Sequence, residues 1–145
     1  MLITRKAAYG LIAIKHVAER EDAGATTSSE IAAAYGMPRE TLAKVLERLA
    51  DAGLLLAHHG VRGGYSLALE PSQISALSVI RAINGSPPRC RDPRSDDPQI
   101  TMLHHRIEAI LDDIKIADFV EYKRTANPEC ASVASQFPAH IPCQR

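Results

Sequence analysis

Cysteine is scarce: three residues, Cys90, Cys130 and Cys143, in a chain of 145. An odd, scattered set excludes a disulfide framework and fits a reducing compartment, and none of the spacings matches a zinc knuckle. Net charge is also missing. Seventeen Lys and Arg balance seventeen Asp and Glu. The balance is local as well, with nine against eight over residues 1–85 and eight against nine over 86–145. Attraction of nucleic acid by bulk positive charge is therefore excluded, and any phosphate or base contact must come from placed residues. Long apolar runs are absent too. The opening "MLITRKAAYGLIAIKHVAER" is broken by Lys15 and His16 and is followed by no small-residue cleavage site, and no stretch reaches the roughly 18 apolar residues that span a bilayer. A cytoplasmic protein without a membrane partner is expected. No repeat, nucleophile elbow or metal-hydrolase motif appears, so an enzyme is not expected. A metallohydrolase built on Cys90, Asp96 and His105 is the weakest of the functional classes.

What is present is a core and a series of punctuated helices. The chain is 46% apolar, enough for one domain with a real core or for a small domain plus an oligomerisation arm. Residues 4–20 read as a helix capped by Thr4, with Leu11, Ile14, Val17 and Ala18 at helical spacing. "TSSEIAAAYG" offers a Thr27 or Ser28 cap, Glu30 in the first turn and Gly36 as a left-handed stop. "MPRETLAKVLERLADAGLL" starts with Pro38 in a first-turn position, lines Leu42, Val45, Leu46 and Leu49 along one face, and ends at Gly53. "LLLAHHGVRGGYSLALE" is a two-stranded hairpin about a glycine-rich tip. "PSQISALSVIRAING" forms a fourth helix through Ile74, Leu77, Ile80 and Ile83. From Pro98 a further helix carries Ile100, Leu103, Ile107, Ile110 and Ile114 at alternating spacings of three and four, a seam that wants a partner helix. "KIADFVEYKRT" continues as a short helix, and the proline-bearing end lacks periodicity.

Helix, helix, tight turn, helix and glycine-tipped hairpin is the order of a winged helix-turn-helix. The expected fold class is mainly α with a small β-hairpin wing and a long dimerisation helix. Its divisions are a DNA-binding domain at 1–85, a loop at 86–98, a dimer helix with a short following helix at 99–124, and a loosely ordered tail at 125–145. In this geometry the third helix enters the major groove and the wing lies along the backbone or minor groove. Arg39, Glu40, Thr41, Lys44 and Arg48 on the third helix are candidate DNA contacts, with Ser28 on the second and His59, Arg62 and Gly63 in the wing. The charge pattern of the third helix by itself favours a merely solvated face. A winged helix serving only as a protein-interaction module stays open on the zero net charge.

The run from Gly36 through "AGLLLAHHGVRGGYSLA" to "ISALSVIRAINGS", with "LITRKAAYGL" before it and "IADF" after it, resembles the Rrf family of bacterial winged-helix repressors and activators. The similarity covers about residues 2–123, and the wing is its most specific part. It implies a homodimeric, sequence-specific DNA-binding transcriptional regulator, a repressor by expectation, on double-stranded DNA with a roughly palindromic operator. There are departures. His59 stands where the family usually has arginine before the wing glycine, which shifts minor-groove contact to Arg62 or makes it pH-dependent. Ala43 replaces a glutamate that tunes site choice in a cluster-binding member.

The resemblance also assigns "RCRDPRSDDPQITMLHH" to the family's sensor position. Cluster-binding members place three cysteines there. Here Cys90 stands at the first position, Asp96 and Met102 at the other two, and His105 where a histidine ligand occurs. Asp92, Asp97 and His104 are further possible ligands, and Ala8 and Ile12, at positions from which some relatives lend ligands across the dimer, cannot coordinate. No cofactor is the leading expectation, with an iron-sulfur cluster or a divalent metal at Cys90 and His105 as alternatives. A thiol redox switch is open as well, because Arg89 and Arg91 flank Cys90 and favour its thiolate. His16 and His58 are expected to be ordinary helix-face and strand residues.

Overall fold

The computed structural model describes residues 3–61, 63–85 and 97–124. Arg62, the Cys90 and Asp96 part of the loop, and the end of the chain with Cys130 and Cys143 lie outside the described residues. Among the described residues six α-helices and one hairpin follow one another as α1 (Arg5–Glu19), α2 (Ser28–Tyr35), α3 (Arg39–Asp51), β1 (Leu55–His58), β2 (Gly64–Leu67), α4 (Ala76–Asn84), α5 (Pro98–Asp113) and α6 (Ile116–Arg124), with a 3-10 turn at Glu21–Ala23. The fold is mainly helical with a two-stranded antiparallel wing, as the order of elements predicts.

The caps explain most of the boundaries. Thr4 accepts from the Ala7 N–H and opens α1. Thr27, rather than Ser28, caps α2 in a full capping box: its hydroxyl accepts from the Glu30 N–H, while the Glu30 carboxylate accepts from the Thr27 N–H at 2.8 Å. Those bonds, the backbone one foremost, hold the Glu30 carboxyl below its ordinary range, so their contribution is present at neutral pH and is lost as the carboxylate protonates on acidification. Gly36 ends α2 in the left-handed region with φ 61°. Pro38 precedes α3 as its N-cap instead of sitting within its first turn, because its backbone is extended (ψ 120°) and the helical dihedrals begin at Arg39.

Three further boundaries differ from expectation. Ile74 is not part of the fourth helix: Ser75 caps α4, accepting from Ser78 N–H, and Ile74 lies just outside in an extended bridge. Ser75 pairs with Lys115 there, Ile116 N–H donates to Ile74 C=O at 2.9 Å and Ala76 N–H to Ile114 C=O at 2.8 Å. This pairing draws Ile114 off the seam. It is the C-cap of α5, extended at ψ 116°, so the helical stripe stops one residue early. Pro98 for its part belongs to α5, at its first turn behind the Asp97 cap, rather than to the loop.

The core is built around α1, which packs against α3, α4, α6 and β2. Ile14, Ile31, Leu42, Leu46, Leu49, Leu55, Ile74, Ile83 and Ile116 are all fully enclosed. Each such side chain contributes about 1.5–3 kcal/mol relative to an exposed one. The α1–α4 contact is tight. A Cβ added at Gly10 would lie 3.1 Å from Ile83 Cγ1, so the absence of a side chain at Gly10 sets the distance between the two helices. The wing is anchored by a bridge that periodicity does not reveal: Thr26 N–H donates to Tyr65 C=O at 2.9 Å and Tyr65 N–H to Thr26 C=O at 2.8 Å. The segment before α2 thereby adds a single rung to the hairpin.

Replacing Gly10 with valine should destabilise the fold by about 1–3 kcal/mol, the usual cost of overpacking a filled contact, read as a lower midpoint in urea with an unchanged m-value. A midpoint equal to that of the native chain would show that α1 and α4 are not in register through this contact.

Candidate nucleic-acid interface

The α2–turn–α3 unit is fixed by burial on one side and left polar on the other. Leu42, Val45, Leu46 and Leu49 of α3 are buried, as are Ile31 and Ala32 of α2 and Met37 of the turn. Turning α3 by half leaves Arg39, Glu40, Ala43, Lys44 and Glu47 exposed, with Thr41 half-buried at the edge. Met37 N–H donates to Ala32 C=O at 3.0 Å, closing the turn. The N-terminal half of α3, the part of a recognition helix that meets base edges, therefore presents a guanidinium, a carboxylate, a hydroxyl and an ammonium.

Most of the candidate contacts gather on two surfaces. Glu40, Thr41, Lys44 and Arg48 line one groove beside α3, together with Glu47, Asp51 and Ile83. Lys6 of α1 lines the same groove and was not among the sequence candidates. A signal for it existed: Arg5 and Lys6 place two cations, with no acid, in the first turn of α1, where the helix dipole disfavours positive charge. Ser28, His59 and Gly63 meet at a second, shallow cleft between the start of α2 and the wing, with Thr27, Ala57, His58, Gly64 and Tyr65. Arg39 lines neither groove. Arg48 differs from its neighbours, since its Nη1 donates to the Ile83 carbonyl at 2.6 Å.

The wing is shaped by its glycines. A Cβ at Gly63 would fall 2.5 Å from the His58 carbonyl oxygen and 2.9 Å from that of Gly60, so a side chain there would force the tip open. Below the tip His58 lies on the last pair of the hairpin register, and its Nε2 is 2.7 Å from Ser66 Oγ. His59 is exposed beyond it. Tyr65 lies between wing and helix. Its phenol is raised above the usual tyrosine range by burial, with Glu47 on α3 adding to the effect. His16 packs edge-on against Tyr35, ring centroids 5.5 Å apart, as a helix-face residue.

The seam on α5 is divided between two tasks. Ile107 and Leu111 are half-buried and line a cleft against Leu77 and Ile80 of α4. Leu103 and Ile110 point away, 52% and 64% exposed, with Ile100 and Met102 also exposed. No residue of α5 is buried within the chain. His104 and His105 are both exposed; His104 lines the α4 cleft, and His105, the next residue on the helix, projects about 100° away from it. Adjacent helical imidazoles so directed do not converge on one ion. Among the described residues no group of three or more His, Cys, Asp or Glu side chains is placed to hold a metal; Cys90 and Asp96 lie outside them. Nor is any helix among them long and apolar enough to cross a membrane.

The arrangement has known counterparts. The chain is 29% identical over 126 residues to the HTH-type transcriptional regulator CymR of Bacillus subtilis, covering 84% of this chain and 91% of that one. A Synechocystis chain named as a candidate HTH-type transcriptional regulator is 32% identical over 127 residues, 81% of this chain and 86% of that one. Among solved structures, B. subtilis CymR, described as the global cysteine regulator, superposes with a TM-score of 0.69 at 26% identity, covering 83% of this chain and 96% of that one. IscR of T. potens superposes at 0.72 with 28% identity, covering 86% and 90%. The family model Rrf2, described as an iron-dependent transcriptional regulator, matches residues 3–122. The chain, with its helix-turn-helix unit and wing, belongs to the Rrf2 family of transcriptional regulators, DNA-binding proteins rather than enzymes.

Proposed function

We propose that the chain acts as a homodimer that recognises a roughly palindromic operator through the N-terminal half of α3 and the wing. The observation that carries this reading is α5. A sixteen-residue helix with no buried residue, and with Leu103 and Ile110 more than half exposed, leaves an apolar stripe that a two-fold copy of itself would cover. Such a dimer sets two α3 helices about one turn of DNA apart. Repression is the expected sign, because occupancy of a promoter by the dimer needs no further surface to block transcription. The site of action is the cytoplasm, where the operator is.

Contacts divide by chemistry. Arg39, Glu40 and Thr41, at the start of α3, face base edges, where guanidinium pairs with guanine and carboxylate accepts from cytosine. Lys44 and Lys6 suit phosphates as point charges. Ser28 supplies a hydroxyl to the backbone from the start of α2, and Gly63 keeps the tip of the wing narrow beside His59 and Arg62. Ala43 offers no hydrogen bond, so the operator differs from that of relatives with an acid at this place.

The effector reading rests on Cys90. Arg89 and Arg91 beside it in sequence favour a thiolate, and one solved relative, Staphylococcus aureus CymR, is described in an oxidized form. We propose, in place of a cluster, that Cys90 joins a second thiol as a disulfide while a peroxide-type oxidant takes up the two electrons and two protons and leaves as water, since Asp96 and Met102 replace two of the sulfur ligands that a cluster takes. A pure protein-interaction module is the competing reading, and it predicts no preference for one duplex over another.

Three outcomes follow. Lys44→Met should weaken binding to operator and random duplex alike and make the slope of log affinity against log salt shallower by about 0.9, the value of one phosphate contact; an unchanged slope removes Lys44 from the interface. Ile110→Asp should sediment as a monomer of native helicity, with operator affinity lowered at least about 100-fold through loss of the second half-site; a variant that remains dimeric contradicts the α5 interface. Cys90→Ser, compared with the native chain under oxidant and reductant, should lose any redox dependence of operator affinity, and anaerobically purified native protein should lack visible absorption. An iron-sulfur spectrum, or a redox response that survives in Cys90→Ser, sinks the thiol reading.

A further inference from the structure

Arg48 has the type and position of a DNA-contacting cation and is exposed on α3, yet its guanidinium is bonded to the backbone of α4. It lies nine residues beyond Arg39, about 14 Å along the axis from the end of α3 that meets base edges. Its Nη1 donates to the Ile83 carbonyl at 2.6 Å in a partly buried contact. That carbonyl is in the last turn of α4, one of the four that a helix leaves without an internal partner. A guanidinium there makes a charge-assisted bond and also places a cation at the negative end of the α4 dipole. Arg48 is itself in the last turn of α3, so one cation serves two helix ends.

The other contacts at Ile83 give this bond its consequence. The Ile83 side chain is buried, and its Cγ1 lies 3.1 Å from the place a Cβ on Gly10 of α1 would take. The neighbouring Asn84 Oδ1 accepts from the Thr4 hydroxyl at 2.7 Å, and Thr4 is the cap of α1. The end of α4 is thus clasped by α1 through Gly10 and Thr4 and by the recognition helix through Arg48. α4 in turn carries α5, packed on it through Ile107 and Leu111.

We infer that Arg48 is a positioning residue: a strut that fixes the pitch of α3 against α4, so that two recognition helices joined through α5 keep the spacing an operator requires. It acts on base recognition through the orientation of α3 and touches no phosphate. The inference rests on the DNA-binding reading above and adds to it a division between cations that hold DNA and one that holds the reader.

The test compares Arg48→Met, which keeps the apolar stem, with the native dimer and with Lys44→Met. Affinities for operator and for a scrambled duplex are measured across a salt series, with far-ultraviolet circular dichroism to establish folding. A strut predicts operator affinity lowered about tenfold, scrambled-duplex affinity unchanged, and a salt slope equal to that of the native chain. A phosphate contact predicts both affinities lowered together and a slope shallower by about 0.9, and that result overturns the inference. So does an operator affinity equal to the native one. If Arg48→Met fails to fold, Arg48→Gln is read by the same slope, unchanged for a strut and shallower by about 0.9 for a contact. A native dimer that binds no operator would overturn the regulator reading first, and this one with it, whereas native binding with a shallower Arg48→Met slope defeats the strut alone.

Discussion

The junction of α1, α3 and α4 at Ile83 is the constraint from which the rest of the structure follows. Ile83 packs its side chain against the bare Cα of Gly10 and gives its carbonyl to Arg48. α1 lies across α3, α4, α6 and β2, so the α1–α4 distance set at Gly10 bears on each of them. Were that distance larger by the width of a methyl group, α3 would shift against the wing, and the groove that holds Thr41 and Lys44 beside Lys6 would change shape. Core packing at native density allows little such play. A recognition surface without bulk charge needs this rigidity, because its affinity depends on where a few side chains stand and not on how many there are.

The same economy governs the electrostatics. The chain is neutral as a whole, yet acids and bases are not interchangeable in place. Lys6 and Lys44 flank the groove beside α3 together with Glu40, Glu47 and Asp51, a mixed surface that repels an arbitrary phosphate array more than a basic patch would. Discrimination gains from this, since a duplex that does not fit meets carboxylates with no compensating contact. The bridge between Ser75 and Lys115 and the Arg81–Glu108 ion pair at 3.0 Å tie the α5–α6 arm back to α4. A change at the arm therefore has a mechanical route to the end of α4 and from there to α3.

Much of this was legible in the residues, and what was not has a common cause. The buried stripe of α3, the Thr4 and Thr27 caps, the Gly36 stop and the hairpin with its glycine tip are local patterns, and each appears where periodicity and turn chemistry put it. The Thr26–Tyr65 and Ser75–Lys115 bridges are single long-range pairs without a period, and so left no trace. The seam of Ile100, Leu103, Ile107, Ile110 and Ile114 was legible as apolar but not as divided. Heptad spacing cannot tell a face turned to a partner from one turned to its own domain, and Leu111, off the seam, shares with Ile107 the packing on α4. In the interface, residues at the start of α3 follow from helix phase alone. Lys6 lines the same groove only because α1 crosses nearby, and the bond of Arg48 to the Ile83 carbonyl depends on a helix end thirty-five residues away.

What remains to be measured is whether a neutral chain reads DNA through a small set of placed residues held by a rigid frame. The most direct measurement is equilibrium binding of the native protein to its own promoter duplex and to a scrambled duplex of equal length and composition, across a salt series. The account predicts tighter binding to the promoter at every salt concentration, and a linear log–log loss of affinity of about 0.9 per phosphate engaged. Equal affinity for the two duplexes, or no salt-dependent binding to either, would contradict it.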